Sequence, residues 1–174
     1  MFTVSELIKA VEWNASRITG YRSGGTGADG KSDCIGLVIG ALSHLGYKWP
    51  ITHGTNALMR SKLIAHRGSP LHVGQLRLKV RGPSEAKWAL PKTYAASPDQ
   101  NDYYHVGVVV SVDPLIIAHC STGGMHYDKK IGQWSVGADL AMINYADAVV
   151  TVTEVDHIIE GGDILVFDNK TLFV

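Results

Sequence analysis

A glycine-rich loop leads directly into an apolar helix, and this stretch limits the folds open to the chain more than any other. The segment from Tyr21 to Leu45 reads YRSGGTGADGKSDCIGLVIGALSHL, and its apolar side chains recur at helical spacing after Cys34. Asp33 or Ser32 can cap this helix by accepting its free backbone N–H groups. The pattern therefore predicts a packed helix with a cysteine in its first turn.

Cys34 itself has two interpretations. Free cysteines are among the most buried residues and usually serve as small apolar side chains. At a helix N-terminus, however, the partial positive charge favours the thiolate, which is the nucleophilic form of cysteine. The choice between a structural and a reactive cysteine depends on what the rest of the chain brings to this helix.

Size and composition exclude several classes of protein. The 174 residues suit one domain spanning 1–174, with 45% apolar and 18% charged residues. Lys+Arg and Asp+Glu balance at 16 each, so no net charge attracts nucleic acid or an anionic membrane surface. No apolar run is long enough for a transmembrane helix, and two cysteines make no disulfide framework.

The first residues carry no basic segment followed by an apolar block, so we expect no Sec-type signal peptide. The localisation stays open between an intracellular protein, export by another route and a trimmed secreted chain. A phage or prophage product would suit this pattern.

Helices are predicted early in the chain and strands later. We expect helices from Thr3 or Ser5 to near Gly20, from Cys34 to near Gly46, and from Thr55 to Leu63, with a loop over 64–72. Strands are expected at Gln75–Val80, His105–Val110, Leu115–Cys120, Gln133–Val136, Ala138–Ile143, Val149–Val155, Asp163–Phe167 and Thr171–Val174. Residues 81–102 are predicted to form a long loop, a candidate lid. This order indicates an α+β fold, with the helices packed on one face of an antiparallel sheet.

The hairpin around Asp113-Pro114 brings two histidines together. If its turn centres on Val112, His105 lies opposite His119 and both imidazoles project from one face. Val106, Val108 and Val110, with Ile116, Ala118 and Cys120, then face the core, which makes Cys120 structural. A zinc site built from His105, His119 and Cys120 is disfavoured because strand alternation separates residue 119 from residue 120.

A cysteine at a helix start, a histidine on a strand and a polar residue on the next strand form a thiol-protease arrangement. Four segments stand out, namely Tyr21-x-x-Gly24-Gly25, Asp33-Cys34-x-Gly36-Leu37-Val38, His105-Val106-Gly107-Val108 and Ile117-Ala118-His119. Together they resemble the NlpC-type cysteine peptidases, papain-like enzymes that cut the peptide stems of bacterial peptidoglycan. The resemblance covers residues 1–145, and the segments follow the family's order.

The resemblance implies a role for each matching residue. Cys34 would be the nucleophile, His105 the general base and His119 the residue that orients it, with no metal or organic cofactor. Tyr21 and Asp33 would belong to the substrate-binding or oxyanion site. The implied reaction is cleavage of an amide in a stem peptide, usually between D-glutamate and the following diamino acid.

The chain departs from the family at three places, one of which is the unusual length of the insert from Gly82 to Asp102. Ile35 stands where the family commonly has serine, and the segment before the histidine strand, Val73–Leu78, lacks the family's aspartate. A closer copy of that family strand, Gly162–Phe167, lies at the C-terminus.

Other functions stay open at this point. A papain-like N-acetylmuramoyl-L-alanine amidase or an acyltransferase could use the same triad, and an inactive wall-binding module could keep the fold. Residues 146–174 could complete the domain or begin another module.

Overall fold

The computed structural model describes residues 1–146 and residue 148. Within these residues the helices are α1 (Val4–Ala15), α2 (Cys34–His44) and α3 (Thr55–Met59), and Lys92–Tyr94 form a short 3₁₀ turn. The strands are β1 (Phe2–Thr3), β2 (Gly20–Tyr21), β3 (Lys31–Ser32), β4 (Ile64–Arg67), β5 (Leu76–Arg81), β6 (Asp102–Val112), β7 (Leu115–Ser121), β8 (Gly124–Asp128), β9 (Val136–Leu140) and β10 (Ile143–Asn144).

One six-stranded antiparallel sheet dominates the fold, in the order β4-β9-β5-β6-β7-β8. Two short parallel pairs, β1 with β10 and β2 with β3, lie outside it. Helices α1 and α2 pack together and against this sheet, which confirms the predicted α+β class. No helix in the described ranges is long and apolar enough to cross a membrane.

Helix α1 begins where its sequence indicates. Thr3 caps it in a reciprocal capping box, in which the Thr3 Oγ1 accepts from the Glu6 N–H at 3.2 Å and Glu6 Oε2 accepts from the Thr3 N–H at 2.8 Å. The helix ends at Ala15, earlier than the predicted stop near Gly20. Near its end the buried Asn14 donates to the carbonyls of Thr26 and Leu37, at 3.1 and 3.0 Å, and so ties α1 to the glycine loop and to α2.

Strand alternation on β6 and β7 follows the prediction. Val106 and Val108, with Ala118 and Cys120, belong to the main core beneath the helices, and Cys120 is fully buried. The opposite face of the sheet carries a second cluster of Val109, Ile117 and Trp134. The sheet is therefore covered on both faces, and the histidines of β6 and β7 share the Trp134 face.

Several predicted elements are wrong, and the errors fall mainly at the sheet edges. Residues 64–67 form β4 rather than a loop, β8 was not predicted, and β9 replaces the strands expected at 133–136 and 138–143. The edge strands β4 and β8 are largely exposed, so main-chain pairing holds them without an apolar pattern to reveal them. Helix α3 also ends at Met59 instead of Leu63. The strands expected at 149–155, 163–167 and 171–174 lie outside the described residues.

The long segment between β5 and β6 is anchored at its far end. The guanidinium of Arg60, just after α3, donates to the carbonyls of Asp99 and Asn101 at 2.7 and 2.8 Å. The indole N–H of Trp88 donates to the Gln100 carbonyl at 2.8 Å. These bonds fold the segment onto itself and onto α3; its role as a lid stays a prediction.

Candidate active site

Helix α2 starts at Cys34, and Asp33 is its N-cap. Asp33 Oδ1 accepts from the Gly36 N–H at 2.8 Å, and Oδ2 accepts from the Gly24 N–H at 2.6 Å. The capping role predicted for this position is therefore confirmed for Asp33. The same carboxylate also fixes the glycine loop beside the helix start.

Backbone contact between this loop and α2 explains two glycines of the sequence pattern. A Cβ built on Gly36 would lie 1.7 Å from the Gly25 carbonyl oxygen, and one on Gly25 would lie 2.5 Å from the Lys31 carbonyl oxygen. Neither position has space for a side chain. The loop can therefore hold the first turn of α2 in place only because both residues are glycine.

The hairpin of β6 and β7 has a different register from the predicted one. Val108 pairs with Ala118 and Val112 with Leu115, with a register shift near Val109. The turn thus centres on Asp113-Pro114 rather than Val112, and His105 does not lie directly opposite His119. Because the offset is two residues, both imidazoles stay on the same face, as diagonal neighbours. His105 Nε2 lies 2.9 Å from His119 Nδ1, with the rings nearly perpendicular at 87°.

Strands β6 and β7 separate beside these histidines. Their ladder ends at the Val108–Ala118 pair. The Val109 N–H bonds to the Gln75 carbonyl on the β5 side, so strand alternation turns the Val106 N–H toward β7, where the ladder has ended. Cys34 and Val106 belong to the same buried cluster, and this N–H lowers the pKa of the Cys34 thiol. The helix start therefore enters the gap between the strands and meets β6 one residue from His105.

Cys34 lies near Val106, the residue that follows His105, but its thiol makes no hydrogen bond to the His105 ring within the described residues. Within the described residues, no hydrogen bond joins the Cys34 thiol to a side chain. The structure thus brings His105 and His119 into direct contact and places Cys34 against the adjacent backbone.

Burial raises the pKa of the Cys34 thiol to about 11. The N–H groups of Val106, Ile35 and Cys34 itself lower this pKa, whereas the negative charge of Asp33 raises it. The expected thiolate is therefore wrong for this state, because desolvation and the capping carboxylate together outweigh the helix terminus. Burial, followed by the nearby His119 and Lys79, lowers the pKa of His105 to about 4. Both groups are neutral at pH 7.

Alkylation with iodoacetamide should follow these pKa values. The rate at Cys34 should be low near neutral pH and keep rising above pH ~9, because only the thiolate reacts. Cys120 is fully buried, and burial raises its pKa to about 11 as well, so it should label only on unfolding. Peptide mass spectrometry across a pH series measures both rates, with the denatured chain as control. A Cys34 rate that levels off below the free-cysteine pKa of about 8.5 would contradict the neutral thiol.

Tyr21 and His53 complete the surroundings of the helix start. Tyr21 pairs with Ser32, two residues before Cys34 in the chain. Burial raises the pKa of this half-exposed phenol, and the nearby Cys34, Asp33 and Cys120 raise it further. His53 lies in the segment between α2 and α3, and its Nε2 is 2.9 and 2.8 Å from the two oxygens of Asp33. Both Asp33 oxygens are thus engaged within the protein. The substrate-binding roles of Tyr21 and Asp33 stay predictions.

Trp134 and Asp128 are neighbours of the histidine pair that the sequence did not indicate. The Trp134 ring lies 5.4 Å from the His105 ring and 5.1 Å from the His119 ring, between centroids. A Cβ on Gly107 would lie 3.1 Å from the Trp134 ring and 2.7 Å from Ile117, so glycine is needed for this packing. Asp128 is on β8, and only the recognition of β8 as a strand could have placed it here.

Within residues 1–146 and 148, no group of three or more His, Cys, Asp or Glu side chains is arranged to hold a metal ion. No family model matches the chain, and no curated protein or solved structure matches it either.

Proposed function

We propose that this protein is a cysteine hydrolase that cleaves an amide bond in the stem peptides of bacterial peptidoglycan. The observation that carries the proposal is the 2.9 Å contact between His105 Nε2 and His119 Nδ1, beside a cysteine at a helix start. A base oriented by a third group, next to a helix-terminal thiol, is the arrangement that nucleophilic acyl transfer needs.

The chemistry starts from a neutral pair. His105 uses Nε2 toward His119, which leaves Nδ1 for the thiol proton. As sulfur attacks the amide carbonyl, the proton passes to His105 and the carbonyl oxygen becomes negative. Backbone N–H groups at the start of α2, those of Cys34 and Ile35, lie beside the sulfur and are free of intrahelical partners. They are suitable donors to the oxyanion.

The second half of the reaction returns the protein to its starting state. The proton on His105 passes to the leaving amine, the C–N bond breaks, and the acyl group stays on sulfur. Water, deprotonated by His105, then releases the acid product and restores the thiol. These reaction steps are compatible with a neutral thiol and a neutral imidazole, because His105 is unprotonated at pH 7 and can accept a proton.

The choice of substrate rests on the resemblance to the NlpC-type peptidases. The four segments that carry it converge in the fold: Tyr21 and the glycine loop lie beside Cys34, and the two histidine segments form the split hairpin. The bond between D-glutamate and the following diamino acid is the proposed site of cleavage. A papain-like amidase, an acyltransferase and an inactive wall-binding module are the competing functions.

Digestion of purified peptidoglycan followed by mass spectrometry of the released fragments tests the proposal. We expect fragments whose new amino terminus belongs to the diamino acid. The matched controls are Cys34→Ala and Cys120→Ala, which each remove one sulfur. Release of whole stem peptides with an L-alanine terminus would instead identify an amidase. Binding to the wall without any fragment from the unaltered protein would identify a binding module.

A further inference from the structure

We propose that Asp128 is a positioning residue of this site, which acts through His119 by fixing the tautomer of its ring. The inference rests on the proposed function, because a fixed tautomer matters only if His105 is a base. Neither the sequence pattern nor the resemblance assigns Asp128 a role.

The three side chains follow a diagonal across three adjacent strands. His119 on β7 pairs directly with His126 on β8, and Ile117 pairs with Asp128. Asp128 is therefore the diagonal neighbour of His119, as His119 is of His105, and all three share one face. His119 Nε2 lies 3.3 Å from Asp128 Oδ1.

The ring of His119 has no other means of setting its tautomer within the described part of the chain. Its Nε2 is buried and makes no well-aligned hydrogen bond there, and its Nδ1 faces His105. The 3.3 Å approach of Asp128 is long, and its alignment is poor for a hydrogen bond. Catalytic contacts of this kind often tighten only when substrate binds.

The protons can be assigned from these contacts. An ionised Asp128 requires the N–H of His119 at Nε2, which leaves Nδ1 as an acceptor. His105 must then place its own N–H at Nε2, and its Nδ1 becomes the acceptor that the proposed reaction uses for the thiol proton. The opposite tautomer of His119 would put the N–H of His105 at Nδ1, where it could not accept a proton.

The surroundings keep Asp128 ionised. Burial raises the pKa of this carboxyl, but the hydrogen bond from Trp134, the approach of His119 and the positive charge of Lys79 hold it below its usual range. The indole N–H of Trp134 donates to Asp128 Oδ2 at 2.9 Å, and Lys79 Nζ lies 3.7 Å from the same oxygen. The other titratable groups on this side are His105, His126, Lys129 and Lys130.

The main variant is Asp128→Asn, which keeps the shape and removes the charge. The amide can donate to Nε2 and so stabilise the wrong tautomer of His119. We expect a fall in kcat of about 10- to 100-fold, at or below the low end of the roughly 100- to 10,000-fold that a proton-transferring side chain contributes, because Asp128 acts only through His119. KM should be nearly unchanged. The matched control is Asp29→Asn, at an exposed aspartate that pairs with Arg22. It should leave kcat and KM unchanged.

Two further measurements distinguish positioning from a structural role. Nitrogen NMR of the histidine rings should show the Nε2–H tautomer of His119 in the unaltered protein and its loss in Asp128→Asn. In a His119→Gln background, Asp128→Asn should cause no further loss of kcat, because the ring through which it acts is absent. Circular dichroism of each variant establishes that the fold is retained.

The outcomes separate this inference from the proposed function. Full activity of Asp128→Asn, with the Nε2–H tautomer retained, would overturn the role of Asp128 and leave the hydrolase intact. An additive loss in the His119→Gln background would also overturn it. If the unaltered protein cleaves no peptidoglycan, the proposed function fails, and the tautomer of His119 is still decided by NMR alone.

Discussion

Replacing Cys34 by alanine should abolish the hydrolysis of peptidoglycan while leaving the fold intact. Every bond change in the proposed reaction passes through the sulfur, so its removal leaves only the oxyanion donors and substrate binding. We expect a loss of at least about 1,000-fold in kcat, the largest effect of any single substitution here. Fragment release from purified peptidoglycan, quantified by mass spectrometry, is the measurement.

Cys120→Ala is the matched control for this loss. Its thiol is fully buried and lies 3.3 Å from the carbonyl oxygen of Ser32, so it lies near Cys34 but is inaccessible to substrate. The variant should keep hydrolysis within a few-fold of the unaltered protein. Comparable losses in both variants would indicate that sulfur supports the packing of α2 rather than the chemistry. If Cys34→Ala retained hydrolysis, a cysteine nucleophile at this position would be excluded.

Substitutions of His105 and His119 should lower kcat by different amounts. His105→Ala removes the proton acceptor and the acid for the leaving amine, so we expect a loss of about 100- to 10,000-fold in kcat. His119→Ala should lose less, since it removes only an orienting acceptor. His119→Asn and His119→Gln should be milder still. The Asn side-chain oxygen falls near the place of Nδ1 and can accept the His105 N–H that now lies 2.9 Å from that atom.

The same assay on all four variants, with circular dichroism as a check on folding, measures this order. His126→Ala is the matched control, because His126 pairs with His119 across the strands and its ring lies 5.5 Å away. It bonds only the Thr122 carbonyl among the described residues, at 3.0 Å, and should change kcat little. Full activity in His119→Ala beside an inactive His105→Ala would place the orienting group elsewhere.

The helix start was predictable because its information is local. The cap at Asp33, the first residue of α2 and the glycines of the loop depend on neighbours within a few positions of the chain. Strand alternation likewise placed Cys120 in the core and both histidines on one face. These inferences needed only periodicity and capping chemistry.

The register, the edge strands and the protonation states depend on contacts that a local pattern does not contain. The turn at Asp113-Pro114 moves the partner of His105 by three positions and the register shift near Val109 takes back one, so the face is preserved but the partner changes. Strand β8 is exposed, so nothing in its residues indicated that Asp128 would reach His119. The prediction of a thiolate at Cys34 took only the helix terminus into account. Burial and the negative charge of Asp33 instead raise the pKa of the thiol.

The site has two parts that differ in how far apart their residues lie along the chain. The histidine pair belongs to a hairpin whose strands are neighbours along the chain, so this half can form from local contacts. The helix that carries the thiol begins 72 residues before Val106. Docking this helix closes a long stretch of chain, which costs conformational entropy. If the proposed reaction holds, hydrolysis requires that α2 has docked on the hairpin. Activity would then report complete folding of the chain.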